Sequence, residues 1–440
     1  MSVEDRVRAA TLARTALVRD VRPFDLPAIP ARPLRARRWA AWTAPVAAAA
    51  AVAALAVSLA AVRHTPNAPA APAAVPAVSG MLPEYYAALD NPSGPITQLL
   101  PGKHQTPVSL RVGDDRTGKL IATITPPDGQ TFTGLTAAAD DRTFVVAAEQ
   151  FPVQQLSPSA NTAAWYLARL TPGSAHPVTL TRLPIPGEPA GTQVSAIALA
   201  PDGSELAVMS QQVWLPKTGP LTIRLYSLAT GTPVRTWTAD TKGFPAGFGW
   251  YWGRYSNTAL TWLNGGHTLA VTYGTNNSGS GPPLTYGFTN VTIRTVDADS
   301  PSGNLLAISK VLFRLPNGTG RAGTDCDTVQ LTGDGKTVLC GTDAGNTVKR
   351  STAYAPKFAA YSVATGKPRL LYQLPGAYGI GLADVLWASP TGSTLLGSVY
   401  TQAAWGHGLV NQTAGLLTNG TFKPVKFPLT AVPFAGEIAF

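Results

Sequence analysis

The sequence predicts an all-β domain, a six-bladed β-propeller closed by its own C-terminal strand, preceded by one transmembrane helix and a short N-terminal helix. Three observations predict it. Charged residues make up only 13 % of the chain, against 42 Gly and 39 Pro, a balance that suits short strands and turns better than helices. One turn phrase returns five times, as "ADDRTFVV" (Ala139 to Val146), "APDGSELAV" (Ala200 to Val208), "NGGHTLAV" (Asn264 to Val271), "GDGKTVLC" (Gly333 to Cys340) and "PTGSTLLG" (Pro390 to Gly397). Finally, a single uncharged run long enough to cross a bilayer precedes all of these copies.

Taken in order, residues 1–38 form a basic tail. "SVEDRVRAATLARTALVRDV" (Ser2 to Val21) reads as a helix with a capping-box-like start at Ser2 and Asp5. Val3, Val7, Ala10, Leu17 and Val21 fall near one face. Such a helix suits either the inner leaflet or a cytoplasmic partner of residues 2–21, and as a weakly ordered tail it would only enforce topology. It is too short for a catalytic or DNA-binding domain. Residues 39–62, "WAAWTAPVAAAAAVAALAVSLAAV", carry no charge and 13 Ala. As a helix the run would span about 36 Å, enough to cross the membrane core. Trp39 and Trp42 stand where an interfacial belt would be, and Pro45 lies in the first turns. Arg35, Arg37 and Arg38 precede the run and Arg63 alone follows it. The positive-inside bias therefore puts the N-terminus in the cytoplasm and the rest outside. An uncleaved signal anchor is favoured over a cleaved signal peptide, whose apolar core would be shorter, although "AAPAAVPA" offers a place to cut. Residues 63–80 alternate Pro and Ala and form an extended spacer.

Residues 81–440 carry the repeat. Alternating runs precede each turn ("FTGLTAAA", "VSAIALA", "TALTWLN", "DTVQLTG", "DVLWASP") and follow it ("RTFVVAAE", "ELAVMS", "TLAVTY", "TVLCGT", "STLLGSV"). Period-two apolar runs around a Gly- or Asp-containing turn are hairpins. A second hairpin follows each first. "LTIRLYSLATGTPVRTWTA" and "KFAAYSVATGKPRLLYQL" are its clearest copies, with "WYLARLTPGSAHPVTLTRL" and "VTIRTVDADSPSGNLLAIS" looser ones. The anchors Phe144, Leu206, Leu269, Val338 and Leu395 lie 62, 63, 69 and 57 residues apart. Four strands per unit at that spacing, wound about an axis, make a propeller. Five full units run from Thr131 to about Leu429. "EYYAAL", "PVSLRV" and "KLIATITPP" before them lack one inner strand, and "AGEIAF" at the end is one strand too many. Joining the two makes a sixth blade and leaves no open edge in the ring.

At these motifs, "APDGSELAV" and "TGDGKTVL" above all, the chain resembles WD-repeat-like and TolB-like propellers. The Ala/Arg/Pro-rich anchor and the "YSLATGTPVRTW" hairpin resemble membrane-anchored propeller proteins of high-GC actinobacteria. The resemblance covers residues 81–440 and implies the fold without implying an activity. The Gly-His start and Trp-Asp ending of WD repeats are absent.

Net charge is +10, but residues 1–38 hold nine Arg and four acids, and residues 64–440 hold 24 basic and 20 acidic residues. A nucleic-acid binder would show a basic stripe on a known module, and none is present. Catalysis finds little support. The five His are scattered, no H-E-x-x-H or G-x-S-x-G occurs, and no cofactor or metal set is expected. "DADSPSG" lacks the distal Glu of a calcium loop and reads as a turn, and Asp140, Asp202 and Asp334 read as turn formers. Cys326 and Cys340 lie in one hairpin, outside the membrane, and are candidates for a disulfide. A bridge there would close a loop of about 15 residues, contributing up to ~3 kcal/mol.

Propeller topology sorts the loops. With strands a to d running outward, a–b and c–d turns share one face while b–c and d–a loops share the other. The second set is long and individual: "TADTKGFPAGFGWYWGRYSN", "GTNNSGSGPPLTYGF", "AGNTVKRSTAYAP" and "TQAAWGHGLVNQ". Trp250, Tyr251, Trp252 and Tyr255 cluster in one loop, and Trp214, Tyr286, Tyr354, Trp405 and His407 belong to the same face. Exposed aromatics suit sugar faces or partner side chains, whereas packed between blades they would be core. The expected role is recognition of an extracytoplasmic protein or envelope polymer, as sensor, scaffold or envelope component. The rival is an extracytoplasmic hydrolase or lyase acting on envelope polymers, its site on that loop face.

Overall fold

The structure, a computed structural model, describes residues 82–90, 106–150, 164–189, 192–212, 219–239, 259–276, 288–315, 326–342, 356–374, 380–402, 411–425, 427, 429 and 438–440. The tail 1–38, the apolar run 39–62 and the spacer 63–80 lie outside the described residues.

Six antiparallel units follow one another. The first contains β1 (Tyr85–Asp90), β2 (Ser109–Asp114) and β3 (Lys119–Ile124). The second has β4 (Gln130–Ala137), β5 (Thr143–Gln150), β6 (Ala164–Leu170) and β7 (Val178–Arg182). In the third are β8 (Thr192–Leu199), β9 (Glu205–Gln212), β10 (Leu221–Ser227) and β11 (Pro233–Ala239). The fourth runs through β12 (Leu260–Leu263), β13 (Thr268–Asn276) and β14 (Phe288–Asp297), then β15 (Gly303–Asn304), α1 (Leu305–Ile308) and β16 (Lys310–Arg314). The fifth comprises β17 (Cys326–Leu331), β18 (Thr337–Thr342), β19 (Lys357–Ser362) and β20 (Pro368–Gln373). The sixth is β21 (Ile380–Ala388), β22 (Thr394–Gln402), β23 (Asn411–Thr418) and β24 (Thr421–Pro424). Last comes β25 (Ile438–Ala439), which returns to β1, pairing Ala87 with Ala439 and Ala88 with Ile438. The first sheet is thus ordered β25-β1-β2-β3, and the fold is an all-β, six-bladed propeller closed by its chain end.

Side chains alternate along each strand, and a blade between two neighbours must bury both faces. On β1, Tyr85, Ala87 and Leu89 pack towards the second blade with Phe132, Leu135, Phe144 and Tyr166. Tyr86 and Ala88 pack the other way, with Leu386 and Leu396 of the sixth blade and with Ile438 and Phe440. This double burial explains why several inner strands are almost wholly apolar.

The repeated turn phrase has two tasks. Its first is to reverse the chain. Gly203 N–H donates to Ala200 O, Gly335 N–H to Thr332 O and Gly392 N–H to Ser389 O, each at 2.8 Å. The residue closing the turn takes a left-handed backbone in each case: Asp141 (φ 52), Gly203 (φ 72), Gly335 (φ 68) and Gly392 (φ 69). The turn aspartates are consumed locally. Asp140 accepts the N–H groups of Arg142 and Thr143, Asp202 that of Ser204, and Asp334 that of Lys336. The second task is to tie blades together. Ala139 N–H donates to Pro201 O, and Asp334 N–H to Pro390 O, both at 2.9 Å across a blade boundary.

One predicted hairpin is different. The run "NLLAIS" is not the outer strand of the fourth blade, which is β16 instead, paired with β14. Asn304 caps α1, its side chain accepting from Leu306 N and Ala307 N, and Leu305 is buried among Trp237, Leu260 and Leu269. Two residues earlier in the same insertion, β15 adds in parallel to the outer strand of the third blade, through Trp237 and Thr238. Residues 298–309 therefore form a strap between two blades.

Candidate functional site

The strand order gives the ring two unlike faces. Connections 138–142, 200–204, 264–267, 332–336 and 389–393 join first to second strands, and all are short. Second strands reach third strands through 91–108, 151–163, 213–220, 277–287, 343–356 and 403–410, and 240–259 joins the third blade to the fourth. The strand ends that these longer connections join lie on the opposite face.

Every aromatic candidate belongs to this second set. Trp214 lies in 213–220, Trp250, Tyr251, Trp252 and Tyr255 in 240–259, Tyr286 in 277–287, Tyr354 in 343–356, and Trp405 and His407 in 403–410. All nine lie outside the described residues, so the topology brings together their anchoring strand ends and says nothing of their side chains.

Beneath that face the described residues hold a pattern that sequence reasoning missed. Arg111, Arg224 and Arg294 occupy the same place on third strands, opposite Ala88, Val208 and Val271. Arg111 pairs with Asp90 at 2.6 Å. Arg224 donates to Glu188 at 2.8 Å and to Ser210 at 3.2 Å, while Ser210 also donates to Glu188. Arg294 donates to Ser309 Oγ, Ser309 O and Leu306 O, gripping the strap. Asp90 and Glu188 are buried, and an unpaired buried carboxylate is costly, so Arg111 and Arg224 fasten the layer below the loops, while Arg294 holds the strap. Burial and the Glu188 charge together push the Tyr226 hydroxyl up to about 12. Burial draws the Lys357 amine below its ordinary value. The sequence carried a trace of the pattern in "SLRV", "TIRL" and "TIRT", where Arg follows an aliphatic residue.

On the opposite face, groups of the first and second blades bond to one another. Asp141 accepts the N–H of Glu84 at 2.7 Å and that of Tyr85 at 3.4 Å. Glu84 pairs with Arg116 and Arg142, and Arg142 lies 5.3 Å over the Tyr85 ring. His176 and His267 are exposed in turns. Among the described residues no group of three His, Cys, Asp or Glu could hold a metal ion.

Cys326 and Cys340 form a disulfide with Cα atoms 5.3 Å apart, both cysteines buried. They are not direct partners in the ladder. Cys340 faces Val329 while Cys326 faces Thr342, and a register shift separates Cys326 from Thr328.

This arrangement defines a propeller with one plain face and one face of long connections. No family model matches the chain, and no curated protein matches it. Among solved structures, it is similar to a putative TolB from Agrobacterium tumefaciens (14 % identity, TM-score 0.40, covering 81 % of this chain and 96 % of that one). A protein of unknown function from Bacteroides caccae is 12 % identical with TM-score 0.39, covering 81 % and 98 % of the two chains. Oligogalacturonate lyase from Vibrio parahaemolyticus is 12 % identical with TM-score 0.39, covering 67 % and 69 %. The propeller is read from the sheet order; likenesses this distant say nothing of a ligand or a reaction.

Proposed function

We propose that this chain is a membrane-anchored, extracytoplasmic binding module, a sensor, scaffold or envelope component held by residues 39–62 with its N-terminus in the cytoplasm. One observation carries the reading: the unlikeness of the two faces. On the plain face, backbone and carboxylate groups satisfy one another within and between turns, leaving little to offer a partner. On the other, the long connections hold the Trp and Tyr candidates, and the Arg111–Asp90 and Arg224–Glu188 pairs brace strands that lead into two of these connections. Rigid support under variable loops is how binding proteins combine order with specificity. The occupant would be an extracytoplasmic protein or an envelope polymer.

Trp250→Ala together with Trp252→Ala tests it. In crosslinking capture from intact cells, the doubly substituted chain should fold and melt as the parent does and lose its captured partner. Undiminished capture by the folded variant would refute the binding face, and turnover of an envelope polymer would point to the hydrolase or lyase reading. Protease added to whole cells should leave residues 1–38 intact; cleavage there would overturn the topology.

A further inference from the structure

One row of residues crosses the loop-bearing side of the fourth and fifth blades. Asn276 pairs with Phe288, Phe288 with Cys326, Cys326 with Thr342, Thr342 with Lys357, and Lys357 with Gln373. Each is the first or last residue of its strand. Connections 277–287 and 343–356 therefore begin and end on this row, 315–325 ends on it and 374–379 begins on it. Here, too, two blades share one ladder, in the order β12-β13-β14-β17-β18-β19-β20. Among the described residues the other blades keep to separate sheets, the strap strand β15 apart.

The weak point of the row is Cys326. Its tie to the fourth blade is a single residue pair, because β16 takes β14 from Thr292 onward. Its pair with β18 stands beyond a register shift between Cys326 and Thr328, and a bulge interrupts the ladder. A strand end held by so little opens easily. The disulfide answers this, because Cys340 faces Val329, on the far side of the shift. Both cysteines are buried, together with Val291, Phe313 and Leu315 of the fourth blade. At the next place in the row the Thr342 hydroxyl accepts from Lys357 N–H and donates to Lys357 O, both at 3.3 Å, which closes the root of 343–356. The bridge joins residues only 14 apart. A cross-link restrains the unfolded chain more as the loop it closes lengthens, so a link within one hairpin is poorly placed to staple a whole ring. Ring closure is left to the pairing of β25 with β1.

We propose that the Cys326–Cys340 bridge is a positioning element of the candidate binding face. It holds the row in register and so fixes the spacing at which connections 277–287, 315–325 and 343–356 meet the ring. This rests on the reading of that face as the binding surface.

The experiment compares the full-length wild type with the double variant Cys326→Ala, Cys340→Ala, by hydrogen exchange read on peptide fragments and by crosslinking capture from intact cells. Exchange should speed about tenfold or more around residues 288, 326 and 357 while β5 and β9 stay unchanged, and capture should fall by a similar factor. Unchanged exchange, or exchange speeded evenly in every blade, would overturn the positioning role. Selective loosening with full capture would overturn its link to binding. Absence of capture by the wild type would sink the binding reading itself, leaving the bridge to fasten strands alone. Thr342→Val keeps the bridge and the shape of the side chain, and serves where the double variant does not fold. Exchange at Lys357 should speed and capture weaken in that variant; no change in either would overturn the proposal.

Discussion

Asp141 shows how one residue can join two demands. Its position in the turn requires a left-handed backbone, which glycine meets at the equivalent places in the third, fifth and sixth blades. Aspartate is retained here with φ 52, and its carboxylate takes the Glu84 and Tyr85 N–H groups at the entrance to β1. Asp141→Ala should therefore cost about 2–3 kcal/mol in urea unfolding, losing charge-assisted bonds while keeping the strain. Asp141→Gly should cost less, because glycine removes the strain and loses only the bonds. A glycine variant more stable than the parent would mean that strain outweighs the tie. The turn role of Asp140, Asp202 and Asp334 was legible in the sequence because it is local. The reach of Asp141 to Glu84, 57 residues earlier, was not.

At the scale of elements, the strap 298–309 is the clearest departure from the repeat. Its four consecutive apolar residues, Leu305 to Ile308, can pass for a short strand, which is why "NLLAIS" reads as half a hairpin. What decides otherwise is a tertiary opening between two blades that takes Leu305, with Asn304 capping the short turn of helix. The Trp237 indole donates to Pro301 O at 3.2 Å and completes the lock. Leu305→Ala should lower stability by about 2–4 kcal/mol and change Trp237 fluorescence in the folded state. An unchanged unfolding midpoint would show that the strap merely lies against the blade edge. Bulges belong to this scale as well. The shift between Cys326 and Thr328 sets which residues of β17 and β18 face one another, and no count along the sequence reveals it.

For the whole molecule, closure governs. Strand counting alone foresaw that "AGEIAF" would complete the first blade, because an open ring would leave an unpaired edge. The pairing is brief, two residue pairs in the described strand, but Ile438 and Phe440 are buried between the first and last blades. Deleting residues 435–440 should expose the inner edge of β1 and remove that wedge. Light scattering should then report association, and unfolding should begin at a lower temperature. A truncated chain that stays monomeric and melts normally would show that the other seams suffice.

The sequence by itself determined the all-β class, the four-strand repeat, the turn chemistry and the number of blades. Each depends on contacts within a hairpin, and hairpin rules are written in neighbouring residues. Only the tertiary structure decided the strap, the bulged registers and the partners of the third-strand arginines. Those partners lie on different strands or beyond the hairpin, and it is the winding of the ring that brings them together. For the candidate face the division is the same: which connections are long and aromatic is a property of the sequence, and that their anchoring strand ends share one side is a property of the ring.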